Sequence, residues 1–174
     1  MDLYQPDQWH DFFIATAGAA AALTGLLFVA ISLHIRFIAT DLQYRSMARG
    51  SLIGLVMALV LSLVALIHQP SAWLGWELIG VALVYTPFGG AYQLLQARRR
   101  TGRIARTRLL AAGGGYALAL IGGLGGLSVI FMSGPGLFVT AFIIVAIVLW
   151  NLWNAWVLLM GVADEEIAAE AKGS

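Results

Sequence analysis

Ala17-Gly18-Ala19-Ala20-Ala21-Ala22-Leu23-Thr24-Gly25-Leu26-Leu27-Phe28-Val29-Ala30-Ile31-Ser32-Leu33 contains no charge, and the first arginine, Arg36, follows three residues later. With the apolar residues before it, the run extends over about 12–34. That exceeds the ~20 residues needed to cross a ~30 Å hydrocarbon core as a helix. It is also longer than the roughly 7–15 apolar residues of a secretory leader. Asp7 and Asp11 stand where a leader carries basic residues. The stretch therefore reads as a retained transmembrane span.

Four further apolar stretches follow, over about 50–67, 73–95, 109–131 and 136–162. None alternates polar with apolar residues, so each reads as a helix, whose backbone groups are satisfied within the segment when lipid offers no partner. The whole composition agrees. Hydrophobic residues make up 60% and charged residues 11%, against roughly 45–50% and 25% in soluble domains. The fold expected is all-α: one polytopic integral membrane domain over residues 1–174, with five transmembrane helices.

The arginines set the expected orientation. Arg36, Arg45 and Arg49 lie between the first two stretches, and Arg98, Arg99, Arg100, Arg103, Arg106 and Arg108 between the third and fourth. The single lysine, Lys172, lies after the fifth. Alternate connections share a side, and short cytoplasmic connections collect Lys and Arg. The N-terminus is thus expected outside and the C-terminus inside, in a bacterial inner membrane. The arginines between spans three and four would also attract anionic headgroups of the inner leaflet, each contributing about 1 kcal/mol. Nucleic acid is a poor partner for so short a basic segment lying against lipid. The chain has no cysteine, which excludes disulfides, thiolate metal sites and cysteine nucleophiles.

The connections sharpen the plan. Gln69-Pro70-Ser71-Ala72 and Ser133-Gly134-Pro135-Gly136 read as tight turns, which pair spans two with three and four with five as hairpins. Thr40-Asp41-Leu42-Gln43 has the spacing of a capping box, so the second helix is expected to start there, before its apolar part. The tail after Val162, with Asp164, Glu165, Glu166 and Glu170, reads as frayed.

Small residues recur at helical spacing. Gly18, Ala22 and Gly25 do so in span one, and Gly115, Ala119, Gly122 and Gly126 in span four. Such spacing lets helix backbones approach closely. Neighbours within the chain and in other copies are both expected, the latter as a homo-oligomer.

Candidate functional residues are few. Glu77 is an acid within span three, near Trp73 and Trp76; it reads either as a functional ionisable group or as a headgroup-level acid at a helix start beside an aromatic belt. His68 lies across the turn from it. Asp7, His10 and Asp11 share one face of a helix at spacings of three and four; with His68 and Glu77 they offer a low-specificity site for a divalent cation, or else simply stabilise a first turn. Asn151 and Asn154 share a face of span five. Buried amides are costly unless paired, so both are expected to point at another helix as glue, or at water as a pore ring. Thr86-Pro87, with Gly89-Gly90, interrupts span three near its middle, as a simple kink or as the broken helix of a transport site.

Trp9-His10-Asp11-Phe12-Phe13 and the Ala17–Leu33 stretch that follows resemble the start of a family of small bacterial integral membrane proteins, some of them labelled modulator of the FtsH protease. The resemblance covers about the first fifth of the chain. It implies a bacterial inner-membrane protein and transfers no functional residue.

No serine–histidine, histidine–glutamate or cysteine arrangement suits an enzyme, and no cofactor is implied. The expected function is movement of an ion, proton or small solute through an oligomer, with Glu77, His68, Asn151, Asn154, Thr86 and Pro87 along the path. The alternative is a non-conducting regulator or assembly partner of another membrane protein.

Overall fold

The computed structural model describes residues 6–86, 117 and 120–173, with the backbone alone at 6, 42, 43, 85, 86 and 164–173. Among these residues the chain is helical and contains no strand. A 3-10 turn, Pro6–Trp9, leads into α1, His10–Leu33. A short α2, Ile35–Thr40, precedes α3, Leu42–Leu66. Then come α4, Ser71–Thr86, α5, Leu120–Ile130, and α6, Leu137–Gly173.

Three helical stretches are long and apolar enough to cross a membrane: Asp7–Leu33, Tyr44–Leu66 and Leu137–Ala163. The 23 residues of the shortest extend about 35 Å at 1.5 Å per residue, more than the ~30 Å core demands. The surface fits the same environment. Leu26, Phe28, Leu33, Leu83, Leu120, Phe142 and Trp153 are all exposed, a pattern that water would penalise and lipid accepts. The chain has the character of a membrane protein. Ser71–Val84 and Leu120–Ile130 are apolar but shorter; the rest of the expected third and fourth spans, over 87–116, lies outside the described residues.

The three long helices alternate in direction. Thr16 meets Ser62 at 2.9 Å and Leu27 packs with Leu55, so α1 and α3 are antiparallel. Gly54 faces Asn151 and Tyr44 reaches Gly161, so α3 and α6 are antiparallel too. One end of the bundle gathers the start of α1, the end of α3 and the starts of α4 and α6: His68 lies 3.2 Å from Asp7, and the rings of Trp9 and Phe138 meet edge to face at 4.6 Å. The opposite end carries Arg36, Arg45 and Arg49.

The core is apolar and graded along this axis. Near the Asp7 end it joins Phe13, Leu61, Leu74, Leu78, Val129, Leu137 and Ile144. Leu27, Leu55 and Ala155 form the middle, and Ile38, Ala48, Leu158 and Val162 the arginine end. Helix α3 contributes to all three clusters and is the element around which α1 and α6 pack.

Both expected tight turns are present. Pro70 opens α4, its carbonyl accepting from the amides of Trp73 at 3.0 Å and Leu74 at 3.3 Å. The α5–α6 turn places Met132, Gly134 and Gly136 at positive φ, the region where glycine meets no Cβ penalty. Ser128 ties that turn together: its hydroxyl donates to the Ser133 carbonyl and accepts the Gly136 amide at 2.9 Å.

Two local expectations need correction. Thr40 does not cap the helix after it; its hydroxyl donates back to the Phe37 carbonyl at 2.8 Å, ending α2. Extended Asp41 occupies the start of α3 instead, with its carbonyl accepting the Arg45 amide. The tail is not frayed from Val162 onward: α6 stays helical to Gly173, as Ala- and Glu-rich sequence favours. Span one also ends in a bend, at His34, whose ring nitrogen Nδ1 lies 3.0 Å from the Ala30 carbonyl.

Candidate functional site

Two regions hold the polar side chains that could act: the Asp7 end and the mid-bundle crossings. At the Asp7 end, the proline turn brings Gln69 back over α4, where its Nε2 donates to Glu77 Oε2 at 2.5 Å. Glu77 is half-buried in the second turn of α4, while Trp73 and Trp76 are exposed beside it. The carboxylate is thus held by the turn that precedes its own helix, between two rings of the type that settle at the headgroup level.

His68 is brought to Asp7, its Nδ1 3.2 Å from the Asp7 Oδ1 with both side chains exposed, linking the N-terminal turn to the α3–α4 connection. The cation site expected on Asp7, His10 and Asp11 is not formed: among the described residues no three His, Cys, Asp or Glu side chains converge to hold a metal ion. The reason is local. Asp7 lies in a 3-10 turn and α1 begins only at His10. A 3-10 turn, with three residues per turn rather than 3.6, keeps Asp7 in line with His10 but carries Asp11, four residues on, off that face, and Asp7 lies 3.2 Å from His68 instead.

The helix crossings are built on glycine, at Gly75 and Gly126 near the Asp7 end and at Gly54 in the middle of the bundle. A Cβ on Gly75 would overlap Ile130 and lie 2.7 Å from the Gly126 carbonyl; a Cβ on Gly126 would lie 2.7 Å from the Gly75 carbonyl. The α4 and α5 backbones therefore touch at this pair. Gly125 turns to the other side, where Val139 of α6 would meet its Cβ at 3.0 Å. Gly125 and Gly126 thus serve neighbours within the chain and a Cβ on Gly122 would make ordinary contact with Ile143 and Ala82, whereas one on Gly123 would meet nothing within 4 Å among the described residues; Gly115 and Ala119 lie outside them.

Asn151 is buried, and a Cβ on Gly54 would overlap its carboxamide. The amide lies flat against the α3 backbone. Its Nδ2 donates to the Ile147 carbonyl at 2.7 Å, one turn back on its own helix. Asn154 does the same with Trp150 at 3.0 Å and is half-buried. The expected approach to another helix holds for Asn151, but both amides find a hydrogen-bond acceptor locally. The rings of Trp150, Trp153 and Trp156 all face outward. Thr86 ends the described part of α4, and its side chain, Pro87 and the segment holding Arg98, Arg99, Arg100, Arg103, Arg106 and Arg108 lie outside the described residues.

The α1 face behaves in the opposite way. Gly18, Ala22 and Gly25 are exposed, and among the described residues nothing lies within 4 Å of a Cβ built on either glycine. Sequence reasoning marked this stripe and the span-four glycines alike. It missed Gly54 and Gly75, although Gly50 stands four residues before Gly54 and Gly80 five after Gly75. An asparagine in an apolar span was the available signal, since it needs a small residue opposite.

No family model, curated protein or solved structure matches the chain.

Proposed function

We propose that the chain is a non-conducting, membrane-embedded assembly partner that docks a transmembrane helix of another membrane protein on the small-residue face of α1. The observation that carries this is the split in glycine use: Gly54, Gly75, Gly125 and Gly126 are filled by neighbours in the chain, whereas Gly18 and Gly25, two turns apart on α1 with Ala22 between them, both have nothing within 4 Å of a Cβ among the described residues; Gly50, Gly80 and Gly123 are open too, each without a second open glycine on its described helix. Without a hydrophobic drive between helices in lipid, close backbone approach is what small residues supply. The polar groups inside the bundle agree, because they serve packing. Ser62 bonds Thr16 and the Ala58 carbonyl, Thr24 bonds the Ala20 carbonyl, and Asn151 bonds that of Ile147.

The proposal includes five crossings of a bacterial inner membrane, with the N-terminus outside. The gathering of Asp7, His68 and Glu77 at one end and Arg36, Arg45 and Arg49 at the other supports that orientation through the bias of cytoplasmic connections toward arginine. Anionic lipid would then meet the basic segment over 98–108. Association of further copies is part of the same reading, as a homo-oligomer that presents several α1 faces.

Conduction of an ion or proton is the second reading, favoured by Glu77, a half-buried acid in an apolar helix. Flux through proteoliposomes separates the two. The purified chain, tested against protons and a panel of small cations and anions, is expected to leak no faster than empty vesicles. Flux that falls on Glu77→Gln or Asn151→Leu would overturn the proposal and establish conduction.

A further inference from the structure

Helix α4 keeps one face to the outside. Trp73, Trp76, Gly80, Leu83 and Val84 are exposed, while Leu74, Gly75 and Leu78 are buried against the bundle. At 3.6 residues per turn the five exposed positions share one side of the helix. Glu77 borders that side, one turn beyond Trp73, and is the one charged residue of α4. An ionisable group beside a lipid-facing stripe calls for a partner.

The described part of the chain supplies no cation to it. The titratable groups at this end of the bundle are Asp7, His10, Asp11, His68 and Glu77, whereas Arg36, Arg45 and Arg49 lie at the opposite end. His68 is drawn to Asp7. Glu77 receives a neutral donor, the Gln69 Nε2, on its Oε2. A carboxylate can accept on both oxygens, so Oε1 can take a further donor.

The surroundings suit a cation that carries an apolar tail. Indole faces attract ammonium groups, and Trp73 and Trp76 present theirs at the headgroup level. Further along α4, Gly80, Leu83 and Val84 continue the same face without a charge, and among the described residues nothing lies within 4 Å of a Cβ on Gly80. An acyl chain can lie along this stripe while its headgroup stays beside Glu77. A soluble cation would use the acid and leave the stripe unused. A primary ammonium has three N–H donors to offer the carboxylate; a quaternary one has none.

We propose that Glu77, held by Gln69 and accompanied by Trp73 and Trp76, binds the primary ammonium of a zwitterionic phosphatidylethanolamine headgroup. An ammonium N–H donates to Glu77 Oε1, and the lipid tail follows Gly80, Leu83 and Val84. The site lies on α4, apart from the α1 face, and does not depend on whether that face docks a partner.

The test is low-temperature dipolar-recoupling NMR on the full natural chain, isotope-labelled at the glutamate carboxyl carbons, in phosphatidylethanolamine bilayers with isotope-labelled headgroup nitrogen. Glu77 is assigned in a separate sample through its bond to Trp76, the one Trp-Glu step in the sequence. Its carboxyl signal is expected to be strongly dephased by the headgroup nitrogen, as an N–O contact of about 2.8 Å requires. Phosphatidylcholine bilayers labelled at the choline nitrogen are expected to give no such loss, and neither is labelled free ethanolamine added to unlabelled phosphatidylcholine bilayers. No dephasing of Glu77 in phosphatidylethanolamine would overturn the proposal. Equal dephasing by choline would overturn recognition of a primary ammonium, and equal dephasing by free ethanolamine would overturn the lipid as its source.

Discussion

Gly125 and Gly126 of α5 and the glycines of α1 look alike in sequence and do opposite things in the fold. Gly126 meets Gly75 backbone to backbone, and Gly125 meets Val139. Gly18 and Gly25 meet nothing within 4 Å among the described residues. The difference teaches that small-residue spacing marks a helix able to be approached closely, and that only packing shows which helix has already done so. A glycine whose missing Cβ is occupied belongs to the fold. One that faces open space meets lipid unless, as at Gly18 and Gly25, a second small residue on the same face offers a partner helix a groove.

Substitutions sharpen this contrast, beginning with the filled positions. Gly126→Leu and Gly75→Leu should each cost about 1–3 kcal/mol or more, the usual penalty of overpacking, read as reversible unfolding in mixed micelles. If either is neutral, α4 and α5 do not touch at this pair. Gly54→Ala should cost slightly less and should be coupled to Asn151, because the added methyl enters the space of that carboxamide. In a double-mutant cycle with Asn151→Ala the two changes should show an interaction energy of about 0.5–3 kcal/mol. Strict additivity would separate the two residues.

Ser62→Ala removes a hydroxyl bonded to Thr16 across the α1–α3 interface. The expected loss is about 0.6 kcal/mol, typical of hydrogen bonds between membrane helices. Asp7→Asn should change stability by no measurable amount, because its pair with His68 is exposed and water screens such contacts. A large effect would mean that the Asp7 end is more enclosed than its exposure indicates.

The helices, their turns and their membrane character were legible in the sequence because apolar length and proline–glycine punctuation act locally. The run through Leu33 and the turns at Pro70 and Pro135 needed no neighbour to be read. The bend at His34 and the cap at Asp41 were not legible, because they depend on where α2 folds against α3. The pairing of Asp7 with His68 depends on how the end of α3 meets the N-terminal turn, which no local spacing encodes. Asn151 was identified as a residue that must be satisfied, but its partners, the Ile147 carbonyl and the Gly54 backbone, emerge only from the register between α3 and α6.

The most direct test of the central claim uses the absence of natural cysteine. Single cysteines placed at Gly18 and Gly25 should cross-link to another polypeptide in native membranes, while cysteines at Gly80 and Gly123, which are equally open, should not. Adducts confined to the α1 positions would support a docking face. If Gly18 and Gly25 form no adduct and react with lipid-soluble maleimide as readily as Gly80 and Gly123 do, the α1 face meets only lipid and the account of this protein as an assembly partner is wrong.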